Sequence, residues 1–193
     1  MKQVRAFLAL DAPAELRAKV GWIRDRYLNW SREQGREENR SLRWSAGRNL
    51  HLTVQFIGDV GWTEAGRIAL DYSKRISRRK SGPFNVVYKG FDCFDRVLFM
   101  KLYEGEEQLQ RLQDEFRRTL STGGVAYDSK SFKGHLTLAR SRRSLRRGDT
   151  RKIVRGFLPE LSFSSRAEKL TLYESRLGPK GPTYLPIKEF YLD

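Results

Sequence analysis

The sequence predicts an α+β fold in which one domain is built from two lobes, and three observations lead there. Helix-like and strand-like segments are mixed with hairpins, which separates the chain from a doubly wound parallel sheet. The succession of a helix, a break and a short apolar strand occurs twice along the chain. Those two strands open with the same pattern, His51-Leu52-Thr53-Val54 and His135-Leu136-Thr137-Leu138, and they hold both histidines of the 193 residues. No Pro/Ser-rich linker divides the halves, so residues 1–193 read as a single bilobal domain.

Each element follows from local pattern. Residues 4–10, VRAFLAL, read as a first strand. Asp11 and Pro13 then start a helix, with an acidic cap and proline in its first turn. Leu16, Val20, Ile23 and Tyr27 recur at helical spacing and form one apolar stripe. The segment 31–41, SREQGREENRS, is polar and lacks an apolar period, so it reads as a loop or frayed helix end. Arg43-Trp44 leads into the first motif strand, 50–57, which Gly58 ends.

Thr63 is a candidate cap for a second helix, whose Ile68, Tyr72 and Ile76 repeat every four residues. Two strands are expected at 83–91 and 96–103, joined by a turn around Asp92–Asp95. A third helix covers 105–121, with Leu109, Leu112, Phe116 and Leu120 on one face, and Gly123-Gly124 breaks it. The second motif strand spans 133–139, a basic connection follows at 141–152, and strands at 168–176 and 184–192 flank a GPKGP turn.

Composition narrows the function classes. The formal charge is +15, from 38 Lys+Arg against 23 Asp+Glu, which favours a polyanionic partner and nucleic acid first. One cysteine, Cys93, excludes an internal disulfide and leaves too few thiolates for a structural zinc site. A reducing, cytoplasmic compartment is the expectation. The apolar stretch near the N-terminus is too short for a secretory signal, and no run is long enough to span a membrane.

The chemistry lies in the paired motifs. Side chains on a strand alternate between faces, so His51, Thr53 and Gln55 are expected to share one face, with Leu52, Val54 and Phe56 on the other. His135 and Thr137 divide from Leu136 and Leu138 in the same way. Two such strands facing one another would form a cleft with two imidazoles and two hydroxyls. That set suits displacement at phosphorus without a metal: one histidine takes a proton from water and the other protonates the leaving alkoxide. Threonine hydroxyls would donate to the non-bridging oxygens. By symmetry, the residues alone leave open which histidine is the acid. No HExxH, Asp/His cluster or glycine-rich phosphate loop is present, so neither metal nor cofactor is expected.

The pair resembles the duplicated His-x-Thr-x signature of the 2H phosphoesterase superfamily. Within it the chain is similar to the RNA 2′,3′-cyclic phosphodiesterases, also named 2′-5′ RNA ligases. The similarity extends through VRAFLALDAP, RWSAGRNLHLTVQFIGDV, FDCFDRVLFMKL, FKGHLTLAR and LTLYESRLGPKGPTYLPI, in the family's order and over almost the whole chain. The resemblance implies two pseudo-symmetric antiparallel-sheet lobes with outer helices flanking a central cleft. It makes His51 the proton donor, His135 the proton acceptor, Thr53 and Thr137 phosphate contacts, and Arg140 an arginine beside the phosphate. The implied reaction opens a terminal 2′,3′-cyclic phosphate on RNA to a 2′-phosphomonoester, with no metal. The alternatives are 2′-5′ ligation, hydrolysis of small cyclic nucleotides and, in another class, a non-catalytic RNA-binding module. Two departures stand out. Gly134 replaces a proline common among relatives, so a looser strand entry is expected, and SREQGREENRS is unusually charged.

Trp44, Phe132 and Tyr184 are candidate platforms for stacking a terminal base. Two basic runs, 74–80 and 140–152, are read as a track for RNA phosphates, which implies affinity that falls steeply with salt. The expected partner is RNA with a 2′,3′-cyclic phosphate end, tRNA fragments and small cyclic nucleotides included, acted on by a monomer away from any membrane.

Overall fold

The computed structural model describes residues 2–33, 42–79, 81–142, 162–179 and 181–193. Among these residues, nine strands and three α-helices follow one another as β1 (Gln3–Asp11), α1 (Ala14–Glu33), β2 (Leu42–Trp44), β3 (His51–Gly61), α2 (Trp62–Arg79), β4 (Phe84–Phe94), β5 (Val97–Glu104), α3 (Glu106–Thr122), β6 (His135–Ser141), β7 (Ser162–Ala167), β8 (Lys169–Gly178) and β9 (Gly181–Tyr191), with a 3-10 turn at Gly47–Asn49. The α+β expectation holds. Strands β2 and β7 are additions to the sequence reading. One is three residues long, and the other, SFSSRA, buries only Phe163 and Ala167, so neither carries a readable period.

The sheet order is β7-β4-β5-β6-β3-β1-β8-β9, with β2 also on β6, and every pairing is antiparallel. The order reads as two equivalent halves. Outward from the motif strands, one half runs β3-β1-β8-β9 and the other β6-β5-β4-β7. The halves meet at a single residue pair, Leu52 opposite Leu136. Beyond it β2 pairs with β6 at Ala139–Ser141. Leu52 and Leu136 are both fully buried, so the junction is also part of the core.

All three apolar stripes face inward. Leu16, Val20, Ile23 and Tyr27 of α1 are buried, as are Ile68, Tyr72 and Ile76 of α2 and Leu109, Leu112, Phe116 and Leu120 of α3. The Tyr72 ring sits edge-on to Phe116 at 4.7 Å and to Phe190 at 4.9 Å, and its hydroxyl donates to the Leu112 carbonyl at 3.1 Å. These contacts lock α2 and α3 onto the half that carries β3. α1 reaches the other half, where Tyr27 meets Trp44 and Lys19 covers the Phe163 ring. Packing of this kind stabilises by about 1.5–3 kcal/mol per fully buried large apolar side chain. No helix among the described residues is long and apolar enough to cross a membrane.

Candidate active site

The functional side chains sit where the two halves meet. Leu52 opposite Leu136 places the two motifs side by side in antiparallel sense. One residue along each strand from that pair, His51 comes toward Thr137 and His135 toward Thr53. The leucines point to the core and the four polar side chains to the opposite face. A local two-fold relation therefore runs through the leucine pair.

Each imidazole is oriented identically. His51 Nδ1 lies 2.7 Å from the Asn49 carbonyl, and His135 Nδ1 lies 2.8 Å from the Lys133 carbonyl. A carbonyl oxygen only accepts, so in both rings Nδ1 carries hydrogen and Nε2 is left for chemistry. His51 Nε2 is 3.1 Å from Thr53 Oγ1. Aromatic walls complete the symmetry. Phe7 and Tyr184 lie 5.0 Å from the His51 ring, whereas Phe94 and Phe99 lie 5.0 and 5.3 Å from His135. The Asn49 side chain donates to the Pro182 carbonyl at 2.7 Å, which ties the turn before His51 to the β8–β9 hairpin.

The fourth motif residue is a β-bulge in both strands. Leu8 and Ala9 of β1 face Gln55 and Thr53, leaving Val54 extra. Leu98 and Phe99 of β5 face Ala139 and Thr137, leaving Leu138 extra. A bulge shifts the alternation by one residue. Gln55 accordingly does not join His51 and Thr53, correcting the expectation of a shared face. It is 2% exposed, its amide donates to the Phe56 and Asp128 carbonyls, and its oxygen accepts from Arg117 Nε. The bulge carbonyls are satisfied too: Val54 accepts from Gln113 Nε2 at 2.7 Å and Leu138 from the Ser45 amide at 2.8 Å.

The same shift decides Arg140. Strict alternation would put it with the core leucines of its strand. The bulge instead turns Ala139 into the core and leaves Arg140 exposed. There its charge acts on His51, His135 and Tyr184 alike. Of the three aromatic candidates, Tyr184 belongs to the site, edge-on to His51. Trp44 and Phe132 are partly buried and pack against the core, Trp44 with its ring 5.7 Å from Tyr27. Phe94 is a further aromatic beside a motif histidine, which the sequence reading did not single out. It is 43% exposed at the tip of the β4–β5 hairpin and edge-on to His135. Its signal was position, since the hairpin turn around Asp92–Asp95 was legible while its proximity to a histidine was not.

Gly134 closely approaches the Leu102 side chain of β5. A Cβ there would come within 3.1 Å of Leu102 Cβ, tighter than side chains tolerate without movement. Gly134→Ala should therefore displace the strand start and His135 with it, lowering kcat by about tenfold or more. Steady-state kinetics alongside a melting curve would test this, and unchanged kcat would remove Gly134 from the site's support.

Both histidines are pushed below the ordinary imidazole pKa of 6.5, chiefly by burial. Arg140 lowers each further, while the Asp11 carboxylate opposes the shift at His51 only. For acid–base work shared by one protonated and one neutral ring, the free-protein bell in kcat/KM is expected to centre below about pH 6.5 and decline toward neutrality. A maximum above neutrality would contradict that burial. Bound phosphate anion would raise both values, so the kcat profile should lie at higher pH than that of kcat/KM.

The basic runs divide. Arg79 and Arg118 pair with the mostly buried Glu115, Lys74 approaches Asp71, and Arg75 donates to Thr122. Lys74, Arg75 and Arg79 are thus engaged with α2 and α3, whereas Arg78 is exposed. Lys80 and the stretch from Arg143 to Lys152 lie outside the described residues, as does most of SREQGREENRS. No group of three or more His, Cys, Asp or Glu side chains gathers among the described residues.

Fold and paired motifs define a two-histidine phosphoesterase architecture, and comparison with known proteins places the chain within it. A family model described as the 2′-5′ RNA ligase superfamily matches residues 29–178, and the chain belongs to that superfamily. It is 30% identical over 186 residues to the RNA 2′,3′-cyclic phosphodiesterase of Aquifex aeolicus, covering 92% of this chain and 97% of that one. It is also 30% identical over 192 residues to the RNA 2′,3′-cyclic phosphodiesterase of Archaeoglobus fulgidus, covering 97% and 99%. Among solved structures, E. coli LigT complexed with 3′-AMP shares the fold, with a TM-score of 0.72 over 99% of each chain at 23% identity.

Proposed function

We propose that the protein hydrolyses the terminal 2′,3′-cyclic phosphate of RNA to a 2′-phosphomonoester by acid–base chemistry between His51 and His135. The observation that carries this reading is the two-fold placement of two imidazoles, each held through Nδ1 by a backbone carbonyl, on motif strands that meet at Leu52 and Leu136. His135 Nε2 takes a proton from water as its oxygen forms a bond to phosphorus. The P–O3′ bond breaks, and His51 Nε2–H delivers its proton to that oxygen. The products are a 2′-phosphate and a free 3′-hydroxyl, with the proton now on His135 to be lost to solvent. Thr53 and Thr137 hydroxyls and the Arg140 guanidinium serve the non-bridging oxygens, where transition-state charge concentrates. Tyr184 and the newly found Phe94 flank the two rings and suit the face of a terminal base.

The relatives' names favour RNA ends over small cyclic nucleotides as substrate, and a monomer suffices because one chain supplies both motifs. The deciding experiment is product analysis on an oligonucleotide ending in a 2′,3′-cyclic phosphate, with chelator present. A 2′-phosphate product supports the reading. A 3′-phosphate, or turnover only after metal is restored, sinks it.

A further inference from the structure

We propose that Asp11 is a positioning residue that acts through His51, breaking the equivalence of the two imidazoles so that His51 holds the proton when substrate arrives. This deepens the hydrolytic reading above and rests on it for the direction of proton flow.

The two halves place different charges at the same position. Asp11 of β1 is the register partner of His51, and Lys101 of β5 is the register partner of His135. Register partners on antiparallel strands share a face, so each charge lies on the cleft side of its own half. One imidazole has a carboxylate across from it; the other has an ammonium. The Nδ1–carbonyl bond and the bulge are matched, whereas His51 alone has its Nε2 at 3.1 Å from its own threonine and is the more deeply buried ring, so Asp11 works against a stronger burial effect.

Asp11 is held for this task rather than spent as a helix cap, the role its sequence position suggested. Tyr173 donates to Oδ1 at 2.7 Å and Thr171 to Oδ2 at 3.2 Å, the threonine being only 1% exposed. Two neutral hydroxyls orient a carboxylate without cancelling its charge. The other charged or titratable groups that face His51 are Tyr184 on β9 and His135 and Arg140 on β6. Both β6 groups disfavour a protonated His51, whereas Asp11 favours it. Lys169 and Arg17 lie within electrostatic reach of the Asp11–Tyr173 pair and moderate its effect. Lys101 is the register partner of His135, Arg140 is the one charge that acts on the ring, and Phe94 and Phe99 are its ring neighbours, so no carboxylate among the described residues supports its cation.

The chain's two histidines make the test direct. An NMR titration of imidazole Cε1–H signals shows two resonances, assigned with His135→Ala. The expected result is a His51 midpoint above that of His135. Asp11→Asn keeps the shape and should lower the His51 midpoint by about one pH unit while moving His135 little. Asp11→Glu should restore part of the gap. In kcat/KM against pH, Asp11→Asn should move the alkaline limb to lower pH and leave the acid limb in place. A His51 midpoint below that of His135 in the unaltered protein would overturn the proposal. So would an Asp11→Asn variant with reduced activity but unmoved midpoints, since that marks a purely structural aspartate. The titration needs no substrate. Shifted midpoints in a protein that fails to hydrolyse cyclic phosphate would therefore count against the hydrolytic reading and not against the Asp11–His51 coupling.

Discussion

Alanine at either His51 or His135 is expected to lower hydrolysis of a 2′,3′-cyclic phosphate by about 10²–10⁴-fold, the usual contribution of one general acid or base. The two losses should not multiply. Once one proton transfer is missing, the remaining histidine assists a step that is no longer concerted, so the double variant should fall little below either single one. On the proposed mechanism RNA affinity should largely survive, because the arginine and hydroxyl donors to the phosphate remain. The rings are also partly exposed, which keeps the folding cost of truncation small. Single-turnover kinetics with a parallel binding titration would separate these effects. Normal turnover in both variants would rule out the mechanism, and lost binding with unchanged single-turnover rate would make the histidines ligands only.

Arg140→Ala carries the second-largest expected effect, a fall of about 10²–10³-fold in kcat/KM, the range seen when one preorganised donor to transition-state charge is removed. Arg140 is exposed, so its removal leaves no buried group unpaired. Its loss should also let both imidazoles rise toward their ordinary pKa, since its charge lowers each of them. The bell in kcat/KM should accordingly move to higher pH even as its height falls. Arg140→Lys should recover only part of the rate, because an ammonium replaces the charge but not the two-pronged fork. Near-normal kcat/KM in Arg140→Ala, with an unmoved profile, would place the guanidinium outside the phosphate's reach.

Much of the fold was legible from period and punctuation. The helical stripes of Leu16–Tyr27, Ile68–Ile76 and Leu109–Leu120 are each buried as their spacing requires. The strands with strong alternation were located within a few residues, and the glycine pair at 123–124 does end α3. The polar β7 and the three-residue β2 were invisible because their order comes from partners, Phe84–Lys89 and Ala139–Ser141, and not from their own composition. Gly58 was expected to stop β3, yet the strand continues through it, at φ 99°, because a second irregularity against β1 falls there.

The site shows the same division more sharply. The sequence by itself determined which groups share a face: a repeated His-Leu-Thr-aliphatic pattern puts an imidazole and a hydroxyl on one face of each strand, since alternation is a property of the extended chain alone. Whatever depended on pairing with other strands was decided by tertiary structure. The bulges at Val54 and Leu138 turned Gln55 inward and Arg140 outward, against the alternation that served for the histidines. Long-range register set Asp11 across from His51 and Lys101 across from His135, so two motifs that read identically along the chain meet different neighbours. A strand carries its own faces, but the charge that meets each face belongs to its neighbour.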